Sequence, residues 1–95
     1  MHPPPPTISR LPVVCFTRID ARHRPTGATK HWVGRQLLGG ASGLAVCAGG
    51  GGYYLFYCDA DWEPVTDTWH GTVADAQAQA EFEYAGTATT WERAG

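Results

Sequence analysis

Residues 52–72 read GYYLFYCDADWEPVTDTWHGT, and no other stretch restricts the fold so tightly. Two β-prone runs, YYLFYC and VTDTWH, flank the polar segment DADWEP, which has the Asp and Pro content of a hairpin turn. The second run leads to Thr72, a good helix N-cap, with Asp75 three residues on in the capping-box position. Asp75 also favours the positive end of the helix dipole. The following VADAQAQAEFEYA is rich in Ala and Gln, which predicts a helix over 73–85, with Gly86 as its stop.

The register of this hairpin follows from the turn. If Cys58 faces Val65, then Phe56 meets Asp67 and Tyr54 meets Trp69 on one face. On the other face Tyr57 meets Thr66, Leu55 meets Thr68 and Tyr53 meets His70; a slip of one residue would exchange the faces of the second strand. Either way the first strand is aromatic on both sides, as expected of a central strand or of one with a side used in contact. In the helix, Val73, Ala76, Ala80 and Tyr84 form the stripe expected to pack on the sheet, and Asp75, Gln79 and Glu83 the wet face. Phe82, with Ala74, Ala78 and Ala85, lies away from that stripe and predicts contact from a second direction, by the C-terminal tail around Trp91 or by another subunit.

Upstream, LPVVCFTRID predicts a first strand, with Pro12 tolerated at its beginning. ARHRPTGATKH reads as a polar, basic loop, WVGRQLL as a second strand weakened by Gly34, and LAVCA as a short buried strand or a helical turn, five apolar residues favouring the strand without deciding the period. The glycines at 49–52 then connect LAVCA to YYLFYC. They open no helix, so they lack the setting of a phosphate-binding loop. Residues 1–9 are expected to be a flexible Pro-rich lead with polyproline II character, and residues 10–95 one domain. The fold class is α+β: a small, mostly antiparallel sheet of four to five strands with one C-terminal helix packed on one face. A hydrophobic fraction of 43% suffices for one core in 95 residues.

Composition narrows the function classes. No apolar run approaches the roughly 18 residues of a spanning helix, which predicts no membrane association. The first residues carry no basic segment followed by an apolar one, so the cytoplasm is the expected compartment. Cys15, Cys47 and Cys58 are widely spaced, without a C-x-x-C, and read as reduced core residues. One Lys against six Arg, among abundant Ala and Gly, is the composition that GC-rich bacterial genomes favour.

Charge is divided along the chain. Six of the seven basic residues lie within the first 35 positions, and eight of the nine acids lie from Asp59 onward. The halves are expected to face each other in the fold. The alternative is a nucleic-acid or phosphate site built from Arg18, Arg22, Arg24, Lys30 and Arg35 beside Trp32. A net charge of −2 and a pI near 6.0 disfavour that alternative.

A third reading is a metal-assisted enzyme at the 58–70 hairpin, with Asp67 and His70 as the candidate ligands. Asp59 and Asp61 have the opening spacing of a calcium loop, but its later glycine and terminal glutamate are missing. Asp67 and His70, three apart on a strand, fall on opposite faces. No serine or cysteine sits in a nucleophile setting, and the only serines are Ser9 and Ser42. No catalytic residue, cofactor or metal is therefore assigned. The function expected is non-enzymatic protein–protein contact or regulation, with a protein partner or a homodimer. Tyr53, Tyr57, Trp69, Phe82 and Trp91 are the candidate partner-binding residues, since Trp and Tyr dominate interface energetics.

Overall fold

A computed structural model of the chain describes residues 1–27, 32–33, 36–37 and 40–94, the two short central pieces by their backbone alone. The elements run in the order β1 (Thr7–Ile8), β2 (Leu11–Arg18), β3 (Arg24–Pro25), β4 (Trp32–Val33), β5 (Gln36–Leu37), β6 (Gly43–Gly49), β7 (Gly52–Cys58) and β8 (Pro64–His70). They continue with α1 (Val73–Glu83), β9 (Tyr84–Ala85), a 3₁₀ turn at Thr87–Thr89 and β10 (Glu92–Arg93). Six strands form one antiparallel sheet in the order β1-β2-β6-β7-β8, with β10 also pairing β2. Among the described residues a single α-helix packs on it, so the α+β class is as expected. Among the described residues, no helix is long and apolar enough to cross a membrane.

The β6–β7 hairpin explains the glycine run. Gly49 pairs with Gly52, and Gly50 and Gly51 between them have φ of 62° and 77°. A two-residue turn with positive φ at both central positions matches the twist of its strands and is cheapest for glycine. The β7–β8 register also follows the sequence reading. Tyr53, Tyr54, Leu55, Phe56 and Tyr57 face His70, Trp69, Thr68, Asp67 and Thr66 in turn. The last pair differs: Cys58 faces Pro64, and a bulge takes up Val65. Such an extra residue bends and twists the strand that carries it.

Two cores lie on opposite faces of the sheet. On the inner face Cys15, Leu44, Val46, Leu55 and Tyr57 pack against Ala76, Ala80 and Tyr84, with Val73 and Trp91 at the margin. On the outer face Val13, Phe16, Ala45, Cys47, Phe56 and Cys58 are covered by Ile8 and Trp62. Because both faces of β6 are covered, Leu44–Cys47 is apolar throughout. The Pro-rich lead joins the outer layer. Ile8 is buried, the Trp62 indole donates to the His2 carbonyl at 2.7 Å, and the Val13 amide donates to Pro6.

Thr72 Oγ1 accepts the Asp75 amide at 3.0 Å, as the N-cap pattern predicted. The helix stops at Glu83, earlier than the sequence suggested, because the 24–26 segment takes its last carbonyls. Thr26 donates its amide to Glu83 and its hydroxyl to Phe82, and Tyr84–Ala85 leaves as a strand to pair Arg24–Pro25. Three further expectations are corrected. Of the stretch expected as one strand over 32–38, the described parts are β4 and β5, which pair antiparallel with each other, and residues 34, 35 and 38 lie outside the described residues. The 21–31 loop contributes a buried His23 and a short strand. Glu83, assigned to the wet face, is buried, because it faces Tyr57 on the sheet.

Candidate functional site

The polar residues of the 58–70 hairpin mostly build the turn. Asp59 Oδ1 accepts the amides of Asp61 and Glu63, each at 2.9 Å. Trp62 sits between them at φ 63° and folds back onto the outer core, meeting Phe16 edge-on at 5.8 Å. A Cβ at Gly43 would lie 2.6 Å from the Trp62 ring, so only glycine fits beneath it. Asp67 and His70 part company as strand parity requires. Asp67 shares the outer face with Trp69, and His70 turns to the inner face, within 2.7 Å of Thr68 Oγ1. Among the described residues, no three His, Cys, Asp or Glu side chains converge as metal ligands would.

The three thiols are free and buried. Desolvation pushes Cys47 and Cys58 up to about 12 and raises Cys15 as well, despite the amide of Gln77 donating to its sulfur. A thiolate is the nucleophile, so burial of this kind leaves these sulfurs unreactive in the native state. On the inner face Tyr57 donates to the buried Glu83, and desolvation, followed by that carboxylate, drives the Tyr57 phenol upward. The bond ties the end of α1 to β7.

The five aromatic candidates do not form one surface. Tyr57 is buried beneath α1, and half-buried Tyr53 packs against the same inner core. Trp91 also joins that core, and its indole N–H is buried without an acceptor among the described residues. Phe82 is 58% exposed on the helix side away from the sheet, where the tail does not cover it. Of the five candidates, Trp69 is the one on the outer face of the sheet, at 49% exposure.

Trp69 is held nonetheless. Its indole lies across the β6–β7 turn, where a Cβ at Gly52 would come within 2.5 Å of the ring. Its N–H reaches the Gly49 carbonyl at 3.3 Å. Half-buried Tyr54 stacks on Phe56 at 5.7 Å beside it, and Val65, 44% exposed, lies further along the strand. This open half of the outer face borders β8, the last strand of the sheet. Val65 and Tyr54 escaped the sequence reading. Parity alone places them with Trp69, but it does not tell which half of the face is covered.

The basic candidates are spread and partly engaged. Arg18 donates to Glu92 at 2.6 Å and to the Met1 carbonyl, with its guanidinium 5.4 Å from the centre of the Phe16 ring. Arg22 donates to both oxygens of Asp20, and that hydrogen bonding holds the Asp20 carboxyl at about 2. Arg24 is exposed on β3. Lys30 and Arg35 lie outside the described residues. Between these arginines, His23 is buried in a hydrogen-bonded set that the sequence did not reveal. Its Nδ1 accepts the Asp20 amide at 3.0 Å, and its Nε2 meets Thr90 Oγ1, which in turn meets Thr17 Oγ1 at 2.7 Å. The Asp20 carboxylate also lies 3.5 Å from Nδ1, but an Nδ1 that accepts an amide hydrogen carries no proton to share with it.

Fold and surface together define a small α+β domain with one helix on an antiparallel sheet and a partly open outer face. No family model, no curated protein and no solved structure matches the chain.

Proposed function

We propose that the chain is a non-enzymatic interaction domain, working in the cytoplasm, whose contact surface is the open outer face of β7 and β8. The carrying observation is Trp69: pinned across the glycine turn with its N–H engaged, yet half exposed. A large aromatic side chain already fixed in place loses little freedom on binding, which is what an interface anchor requires. Tyr54 and Val65 extend the surface on either side. The three buried thiols suit the reducing cytoplasm. The phosphate-binding alternative draws less support, because Arg18 and Arg22 are engaged by carboxylates of the same chain.

Co-purification from the native host with wild-type, Trp69→Ser and Phe82→Ser chains tests this reading. A partner retained by wild type and Phe82→Ser but released by Trp69→Ser is the expected result. A partner set that ignores Trp69, or depends on Phe82 instead, would overturn it.

A further inference from the structure

We infer that the free edge of β8 accepts, as an added strand, an extended peptide that carries on one face a basic residue between two apolar ones. The inference rests on the contact surface proposed above and names the chemistry of its partner.

Main-chain parity opens the edge. In an antiparallel sheet the N–H and C=O of one residue point to the same side, and successive residues alternate. The Cys58 carbonyl accepts the Ser42 amide at 2.9 Å, so Cys58 points toward β6. Counting back along β7, Tyr57, Leu55 and Tyr53 point toward β8, where they face Thr66, Thr68 and His70. The amides and carbonyls of Asp67 and Trp69 are therefore directed off the sheet, where no described strand pairs with them. Strand addition satisfies such groups and draws specificity from alternate side chains.

The side chains beside that edge specify the incoming strand. Val65, Asp67 and Trp69 are all exposed, so an added strand in register sets its own outward residues against an apolar, an acidic and an apolar side chain. Residues 59–75 contain five carboxylates and no Lys or Arg. Among the described residues, none of the five is ion-paired. A basic residue opposite Asp67, between two apolar ones, is the complement.

The same residue works against a second copy. Two-fold pairing of β8 with itself, centred on the strand, sets Asp67 against Asp67 of the other copy. A shift by two residues sets it against Val65 or Trp69. Like charges directly opposite destabilise a pair, and a charge in the middle of an edge strand is a recognised guard against edge-to-edge association.

The test titrates isotope-labelled full chain with the peptide acetyl-Thr-Val-Thr-Lys-Thr-Val-Thr-amide, following amide resonances and the Trp69 indole. Expected are shifts confined to residues 64–71 and the facing turn. Replacing the peptide lysine by glutamate should weaken binding at least about ten-fold, the scale of inverting one close charge pair. N-methylation of the peptide lysine should abolish binding. Asp67→Asn should weaken the lysine peptide while sparing a version with threonine at that position. Equal binding of the lysine and glutamate peptides, tolerance of N-methylation, or no shift in β8 at peptide saturation would each overturn the inference. So would a dimer mass with β8 shifts that grow with protein concentration, which would make a second copy the occupant. If the peptide fails while Trp69→Ser still releases the host partner, strand addition falls and the contact surface stands.

Discussion

Trp62 and Trp69 lie seven positions apart, both toward the outer face of the sheet, yet one is 4% exposed and the other 49%. Trp62 sits over the β2–β6 half, above Gly43, and receives the Pro-rich lead through its indole N–H. Trp69 sits over the β7–β8 half, above Gly52, where no described segment follows. Each ring depends on a glycine beneath it and each N–H on a main-chain carbonyl. What separates them is what arrives from elsewhere in the chain. The same local device closes a core in one place and displays an aromatic surface in the other.

The largest effect that would break this comparison is in stability. Trp62→Ala should cost about 3–5 kcal/mol, because it removes the cover of a filled core and leaves a cavity. Trp69→Ala should cost roughly 1 kcal/mol, as an exposed position does when its contacts are few. Chemical denaturation of both variants measures the difference, and equal losses would mean that Trp69 is structural. A smaller effect is expected beneath Trp62. Gly43→Ala puts a methyl group into the ring and should cost about 1–3 kcal/mol through overpacking. The Trp62 indole fluorescence should shift toward that of exposed Trp, while binding proposed for the Trp69 surface should be unchanged.

These two residues also mark how far the sequence could be read. Period-two alternation and the Thr72 cap were sufficient for the β7–β8 pairing and the start of α1, since both depend on local chemistry. The bulge at Val65, the early end of α1 and the burial of Glu83 depend on partners distant in sequence, on the 24–26 segment and on Tyr57. Aromatic character alone groups Tyr53 and Tyr57 with Trp69 as partner-binding candidates, but the tyrosines lie on the inner face, on which α1 packs. Long-range coverage has no local signature, so the candidate surface was legible as a strand and illegible as a face.

The thiols test the covered half alone. Cys47 and Cys58 belong to the core that Trp62 closes, and burial holds both at about 12. Below pH about 8.5 both folded and unfolded chains keep these protons, so stability is flat there with respect to them. Above it the unfolded chain releases protons that the native state retains. Stability should therefore fall as pH rises toward 12, with Tyr57, also raised by burial, adding to the loss. Alkylation at pH 8 should be slow in the wild type and in Trp69→Ala, and faster in Trp62→Ala as the cover opens. The Cys47→Ala variant should show a shallower decline of stability between pH 9 and 12 than wild type. An unchanged slope would mean that the thiol is already solvated in the native fold, and that Trp62 covers less than its burial implies.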